Sequence, residues 1–189
     1  IKDSSISYKY KRNILESMTE RANEVTATGL SDETIKMAED ASKTIPLLRS
    51  ANMSLGICLL KDLVKKAAAF LGSDYDIEII EKHHNQKLDV PSGTAIMLVD
   101  SIKTVKTDAQ YVVGRSDYGK RDKREIGIHS LRMGSEVGTH EIIFAMGSQV
   151  ITLKHEAENR SLFADGAVSA AEFLIKQEKG FYNMDNILE

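Results

Sequence analysis

The densest group of residues that could do chemistry lies at 81–95, which read EKHHNQKLDVPSGTA. His83 supplies a titratable acid, His84 a second hydrogen-bonding imidazole, and Lys87 a fixed positive charge. The Pro-Ser-Gly-Thr run at 91–94 leads into a predicted helix, where unpaired backbone N–H groups and hydroxyls bind carboxylate or phosphate. An anionic substrate that needs a proton would find both requirements in this segment.

Two other interpretations compete with a small-anion site. Pro-Ser-Gly-Thr before a helix is also an ordinary turn and N-cap, and the residues alone leave both open. A zinc site would need three histidines to converge with an open position. Adjacent His83 and His84 would point to opposite faces of an extended chain, and no His-x-x-x-His spacing occurs on a predicted helix. The chain has five histidines that could serve as ligands: His83, His84, His129, His140 and His155. Because their spacing fits no metal motif, we expect no metal site.

Composition excludes several classes of protein. The 189 residues carry 25 Lys and Arg against 28 Asp and Glu, a formal net charge of −3 without a basic block, so we expect neither nucleic acid nor a membrane as a partner. The longest stretch without a charge, 142–153, is shorter than the roughly 18 residues of a membrane span. Cys58 is the only cysteine. That excludes an intramolecular disulfide and predicts a cytoplasmic protein.

The elements before the polar segment follow an α/β pattern. Apolar residues spaced by three or four predict helices over 11–25, 32–42 and 52–70, the second with Ser31 as its N-cap. A short strand is predicted at 44–50. Alternating helices and strands are typical of an α/β domain.

The elements that position the polar segment are of a different kind. Residues 76–81 alternate with period two, as a half-buried strand does, and a helix over 92–104 follows. The charged stretch 117–125 predicts a solvated loop, and a last helix is predicted over 160–177. Further strands are predicted over 126–132, 137–146 and 149–156, the last two joined by a tight turn at Gly147-Ser148. Together the strands predict a mostly antiparallel sheet.

The segment 81–95 resembles the signature of the 4-hydroxy-tetrahydrodipicolinate reductase family of lysine and diaminopimelate biosynthesis. The resemblance runs from about residue 26 to residue 188. Other matching pieces follow in the family's order: TGLS at 28–31, SANMS at 50–54 with Gly56, IGIHSLRMG at 126–134, VGTH at 137–140, HEAENR at 155–160 and FADGA at 163–167.

The resemblance implies an activity and a role for each residue of the segment. Family members reduce a cyclic imine dicarboxylate with a hydride from NADH or NADPH, and a proton must arrive as well. His83 would be the proton donor, and Lys87 a second donor that favours the dianionic substrate. His84 would hold one substrate carboxylate, and Gly93 with Thr94 would hold the other.

The resemblance also implies two cofactor segments. Thr26, Ala27 and Thr28 match a cofactor-contacting turn that is usually Gly-Thr-Thr. The second segment consists of Ser50, Ala51, Asn52 and Met53. For these four, the residues alone favour a plain strand-to-helix loop with Asn52 as the cap.

The implied architecture is an α/β protein of two domains. A Rossmann-like dinucleotide domain, incomplete in this sequence, would take 1–53 and 161–189, and an α+β substrate domain would take 54–160. Family members begin with a strand, a Gly-rich turn and a helix, yet the first 28 residues contain no glycine. Either this polypeptide is genuinely shortened or a longer natural polypeptide carries such a segment before Thr26, and we expect the second. The alternative is a cofactor-free dicarboxylate-binding or assembly protein that has lost reduction.

Association is the last expectation. The predicted strands at 137–146 and 149–153 are long, apolar and adjacent, so a face bearing Ile142, Phe144 and Ile151, or their neighbours, should be left uncovered. Because members of the family are generally tetramers joined through these sheets, the resemblance implies a homotetramer. The alternative is that helices of the same chain cover both faces.

Overall fold

The computed structural model describes residues 31–188 and the backbone of Asn23–Val25. The predicted helix over 11–22 and the predicted cofactor turn at Thr26, Ala27 and Thr28 lie outside the described residues. The chain divides into two compact units. One, the parallel-sheet unit, comprises the residues up to Cys58 and those from Ser161 onward; the other, the mixed-sheet unit, comprises Leu59–Arg160.

The parallel-sheet unit is built on three short strands in the order β1-β2-β8, with both pairings parallel. Because β1 pairs with β2, the predicted helix over 11–25 is wrong at its last three residues: sheet pairing overrides a helical spacing of apolar residues. The elements of this unit are β1 (Asn23–Val25), α1 (Asp32–Ala41), β2 (Pro46–Arg49), α4 (Ser161–Leu174), β8 (Gly180–Tyr182) and a 3₁₀ turn (Met184–Ile187).

Helix α1 begins at a local capping signal, and the core of this unit surrounds β2. Ser31 is the N-cap of α1, as predicted, and its hydroxyl accepts from the Thr34 backbone N–H at 3.2 Å. Leu48 of β2 is fully buried in a cluster with Cys58 and with residues of α4. The other buried members of this cluster are Met53, Ala170, Leu174 and Met184.

The mixed-sheet unit contains a five-stranded sheet in the order β4-β5-β3-β6-β7. β4-β5 and β5-β3 are parallel, and β3-β6 and β6-β7 are antiparallel, so the predicted mostly antiparallel sheet is wrong. Among neighbouring strands of this sheet, only β6 and β7 are an antiparallel pair joined by a tight turn, at 147–148. The connection through α3 and the loop 114–124 each return the chain to the same end of the sheet, so β3, β4 and β5 run parallel. The elements are β3 (Asp76–His83), α3 (Gly93–Lys103), β4 (Gln110–Val113), β5 (Glu125–Arg132), β6 (Gly138–Met146) and β7 (Gln149–Ala157), and α2 (Leu55–Leu71) precedes them.

One face of this sheet is the core of the unit. The register places Ile142 opposite Ile79 and Phe144 opposite Ile77, and all four are buried. The predicted exposure of Ile142 and Phe144 is therefore wrong, because they share a face with the apolar positions of β3. Ile151 is 39% exposed at the edge strand. Helix α3 contributes four fully buried residues, Ala95, Leu98, Val99 and Ile102.

The opposite face carries an anchored loop. The charged stretch 117–125 is mostly exposed, as predicted, but Arg121 binds the carboxylates of Asp76 and Glu78 and the Ile77 carbonyl. The loop is thus fixed to β3 rather than merely solvated. Among the described helices, none has the length and apolarity needed to cross a bilayer.

Candidate active site

Strand β3 carries two ionisable residues on its buried face. The strand alternates, with Ile77, Ile79, Glu81 and His83 buried and the residues between them more accessible. A carboxylate at a fully buried position requires partners that stabilise its charge. The register sets Ser130 of β5 and His140 of β6 on either side of Glu81. The partners that bind its carboxylate are His83, Arg132 and Ser92.

Both oxygens of the Glu81 carboxylate are occupied. Arg132 donates to Oε2 at 2.9 Å and to Oε1 at 2.8 Å, and the Ser92 backbone N–H donates to Oε1 at 3.2 Å. His83 Nδ1 lies 2.5 Å from Oε2. Burial opposes the charge of Glu81, but hydrogen bonds from His83 and Arg132 outweigh it and hold the pKa of Glu81 well below its usual range. Glu81 is therefore an ionised carboxylate.

This carboxylate fixes the hydrogen on His83. An ionised carboxylate only accepts hydrogen bonds, so Nδ1 of His83 must be the donor. The second ring nitrogen, Nε2, lies beside Gly138, where an added Cβ would stand 3.1 Å from it. The His83 side chain keeps 10% of its surface exposed, and its ring meets that of His140 edge-on at 5.2 Å. His83 thus has one committed nitrogen and one nitrogen that can exchange a proton.

His140 is a second buried imidazole at this site. Its Nε2 lies 3.1 Å from the Ser92 hydroxyl, and its buried Nδ1 has no hydrogen-bond partner among the described residues. Burial, followed by the nearby charge of His83, lowers the pKa of His140 to about 3. His140 is therefore neutral at physiological pH.

Ser92 joins the site to the start of α3. Its hydroxyl is the N-cap and accepts from the Ala95 backbone N–H at 3.2 Å. Gly93 and Thr94 form the first turn of the helix, where backbone N–H groups favour an anion. The ordinary N-cap interpretation is confirmed for Ser92, and it is compatible with an anion site at the same turn.

His84 lies on the outer side of the segment, in a cavity of about 330 Å³. Arg160 donates to its Nε2 at 3.3 Å. Since the guanidinium is always charged, the cavity combines a cation with polar groups, which suits a carboxylate. The cavity is lined by His84, Asn85, Gln86, Gly134, Ser135, Val137 and Arg160.

Lys87, the fixed positive charge expected in this segment, has an acidic partner. Its ammonium group lies 2.8 Å from an Asp89 carboxylate oxygen. The hydrogen bond from Lys87 holds the pKa of Asp89 below its ordinary value. Lys87 therefore belongs to an ion pair.

The expected second cofactor segment follows β2. The Ser50 hydroxyl donates to the Asn52 carbonyl at 2.9 Å, and the Asn52 side chain accepts from the Ser54 backbone N–H at 2.8 Å. The Ser54 hydroxyl accepts from the Ile57 N–H at 3.2 Å. Ser54, not Asn52, therefore caps α2, and the predicted cap is wrong by two residues because Asn52 forms a local turn instead. Ala51 is exposed, whereas the Met53 side chain is buried in the core cluster.

Sequence reasoning found the segment but not all of its partners. Glu81, Arg132, His140 and Arg160 received no role, although a carboxylate in an otherwise apolar alternation was a usable signal for Glu81. The others lie far along the chain from residue 81 and could be placed only once the strand order was known. No group of three or more metal-ligating side chains occurs within residues 31–188.

The fold and site define an α/β protein with a parallel-sheet unit, a mixed-sheet unit and a buried His–carboxylate pair next to a cationic cavity. Residues 56–188 match the family model of the dihydrodipicolinate reductase C-terminus. This chain belongs to the dihydrodipicolinate reductase family.

Individual relatives agree with that assignment. The 4-hydroxy-tetrahydrodipicolinate reductase of Clostridium botulinum (strain Eklund 17B / Type B) is 50% identical over 166 residues, 87% of this chain and 66% of that protein. The reductase of Clostridium novyi (strain NT) is 44% identical over 188 residues, 99% of this chain and 72% of that protein. A dihydrodipicolinate reductase from Paenisporosarcina sp. TG-14, solved with dipicolinate bound, is 26% identical with a TM-score of 0.69 and covers 95% of this chain and 70% of its own. The chain thus spans about two thirds of the length of these relatives.

Proposed function

We propose that this protein catalyses the NAD(P)H-dependent reduction of 4-hydroxy-tetrahydrodipicolinate to tetrahydrodipicolinate in lysine and diaminopimelate biosynthesis. The main support is the hydrogen bonding of His83. Its Nδ1 is bound to ionised Glu81, which leaves Nε2 to deliver a proton. The names of the relatives favour this reductase over a cofactor-free binding or assembly protein.

His83 is the proposed proton donor in this reaction. The nicotinamide supplies the hydride, and the protein orients the substrate and delivers the proton. Nε2 of the His83 imidazolium gives its proton to the substrate and regains one from solvent, to which the ring keeps some access. Lys87 is the proposed second donor, and transfer from Lys87 requires its ion pair with Asp89 to loosen.

The proposed substrate is a small dicarboxylate held at two places. His84 with Arg160 would bind one carboxylate in the cavity, and the first turn of α3 at Gly93 and Thr94 would bind the other. The reductase from Paenisporosarcina with dipicolinate bound supports a planar dicarboxylate as the ligand class.

The proposed cofactor is NADH or NADPH, bound by a Rossmann-like dinucleotide domain to which the parallel-sheet unit belongs. β1 and β2 end side by side, since Val25 pairs with Arg49. Ligands of parallel α/β sheets bind beyond the carboxyl ends of the strands. Thr26, Ala27 and Thr28 follow β1, and Ser50, Ala51, Asn52 and Met53 follow β2, which supports both sets as cofactor contacts. Because the Met53 side chain is buried, its backbone would make the contact.

The proposed enzyme is an oligomer of the cytoplasm. We propose a homotetramer joined through the sheet face that bears Ile80, Ile143 and Val150, which lies opposite the core face. Sedimentation as a monomer at micromolar concentration would contradict it. A single buried cysteine is consistent with the proposed cytoplasmic location.

The first experiment replaces the proposed donors. His83→Gln and Lys87→Ala should each lower kcat by about 10²- to 10⁴-fold while the Kd for NADH changes little. His129→Gln is the matched control, since His129 lies on the opposite face of the same sheet. A loss below about threefold in both donor variants would remove them from the mechanism. Failure of the unmodified protein to bind NADH or NADPH would favour the cofactor-free alternative.

A second experiment tests the substrate site. Pyridine-2,6-dicarboxylate should compete with substrate, and Thr94→Val should weaken the inhibition. Unchanged inhibition in Thr94→Val would place the dicarboxylate elsewhere. Binding of this compound without any turnover would also favour the cofactor-free alternative.

A further inference from the structure

Two Arg–Glu–His groups lie on opposite faces of strands β3 and β5. On the core face Glu81 binds Arg132 and His83. On the other face, Glu78 Oε1 accepts a hydrogen bond from Arg121 Nε at 3.1 Å, and Glu78 Oε2 lies 3.0 Å from His129 Nε2. The two groups share their chemistry but not their surroundings, because the Glu81 side chain is fully buried and that of Glu78 is 29% exposed.

We propose that Glu81 and Arg132 are positioning residues for proton delivery by His83. The carboxylate determines which ring nitrogen of His83 delivers the proton, and Arg132 keeps that carboxylate ionised and oriented. This inference rests on the proposed function, in which His83 is the donor.

The hydrogen bonds leave one arrangement for the His83 ring. Arg132 and the Ser92 N–H direct three donors at the Glu81 oxygens, and the His83 Nδ1 approaches Oε2 at 2.5 Å. Because none of these oxygens carries a hydrogen, Nδ1–H is the tautomer of the neutral ring. Every proton that His83 gains or loses must then pass through Nε2.

Packing holds the ring in the same orientation. Gly138 has no side chain, which leaves room for Nε2, and the ring of His140 packs edge-on against the His83 ring. His140 is neutral at physiological pH, so it adds no charge that would repel an imidazolium. The ring therefore has one position, with its proton-exchanging nitrogen in a defined place.

Arg132 also limits the charge that Glu81 presents to His83. An unpaired buried carboxylate would bind an imidazolium tightly and oppose release of its proton. Arg132 binds the same two oxygens, so His83 meets a carboxylate whose charge is largely compensated. Arg132 further donates to the Asp89 carbonyl at 2.7 Å, which ties this group to the loop that carries Lys87.

The experiment compares Glu81→Gln with Glu78→Gln, its counterpart on the other face. Glu81→Gln should lower kcat at least tenfold, with the Kd for NADH within about twofold of the unmodified protein. It should also move the pH above which kcat declines toward acid, because an amide stabilises the protonated ring less than a carboxylate does. Glu78→Gln should leave that pH unchanged, and sedimentation checks that both variants assemble alike.

A measurement on the unmodified protein covers the case in which Glu81→Gln does not fold. With ¹⁵N-labelled histidine, the His83 signals, assigned by their loss in His83→Gln, should show a hydrogen on Nδ1 and a titrating Nε2. A hydrogen on Nε2 in the neutral ring would overturn the inference. So would a kcat profile for Glu81→Gln that matches Glu78→Gln while His83→Gln remains inactive. If His83→Gln keeps its turnover, the proposed donor role is wrong, and the positioning role falls with it.

Discussion

Arg132 binds both carboxylate oxygens of Glu81, a residue without exposed surface, across the parallel pairing of β5 with β3. A charge in such a position is stable only while its partner is present, since removing one member leaves the other buried and uncompensated. The pair therefore couples the stability of the mixed-sheet unit to the geometry of the site.

Removing Arg132 alone should cost much of that stability. Arg132→Met is expected to lower the free energy of unfolding by about 3–5 kcal/mol, because Glu81 keeps its burial and loses its cation. Urea unfolding followed by circular dichroism measures the loss. The double variant Glu81→Leu/Arg132→Met should recover most of it, since it leaves no buried charge. Equal losses in the single and double variants would contradict this account.

Local signals predicted much of the fold. The N-caps Ser31 and Ser92, the alternation of β3 and the turn at Gly147-Ser148 depend on neighbours within a few residues, and each is confirmed. The four-residue strand β4 was not predicted. The parallel pairings depend on where α3 and the loop 114–124 return the chain. Strand order is a tertiary property, and short apolar patterns do not encode it.

For the candidate site, the sequence could indicate the segment but not its distant partners. His83, His84 and Lys87 are close in sequence, so their segment could be recognised as a unit. Lys87 and Asp89 are two residues apart, whereas the hydrogen bonds between Arg132 and Glu81 span 51 residues of sequence. Glu81 lay within the recognised segment, yet its hydrogen bonds from Arg132 and Ser92 form only in the folded sheet.

Stability should depend on pH through His140. Its pKa is about 3 in the folded protein and near 6.5 when unfolded, so below pH 6.5 the unfolded state binds a proton that the folded state does not. The unfavourable contribution of His140 to the free energy of unfolding is therefore small above pH 7, and it grows as the pH falls from 6.5 toward 3. His140→Gln should reduce the loss of unfolding free energy between pH 7 and pH 5 by about 2 kcal/mol. Urea titrations at both pH values test this, and parallel losses in the two proteins would contradict it.

Gly138 should be required for the position of His83. In Gly138→Ala the new methyl carbon would stand 3.1 Å from His83 Nε2, so the ring must shift by a few tenths of an ångström. Because proton transfer is sensitive to such displacements, kcat should fall by about tenfold while the Kd for NADH is unchanged. Gly134→Ala does not serve as the control, since its φ of +49° strains any side chain. Ala145→Gly on the same strand is the better comparison, and its kcat should stay within about twofold of the unmodified protein.

Gly166 should support the second cofactor segment through backbone packing. A Cβ at Gly166 would stand 1.7 Å from the Met53 carbonyl oxygen, so α4 approaches this segment more closely than any side chain allows. Gly166→Ala gains about 1 kcal/mol of helix propensity, yet it should destabilise the protein by about 1–3 kcal/mol because the backbone of Met53 must move. Since residues 50–53 are the proposed cofactor contacts, KM for NADH should rise as well. Ala167→Gly is the matched control, with a propensity loss of about 1 kcal/mol and no change in KM. A more stable Gly166→Ala protein with unchanged KM would show that this close approach does not hold the segment in place.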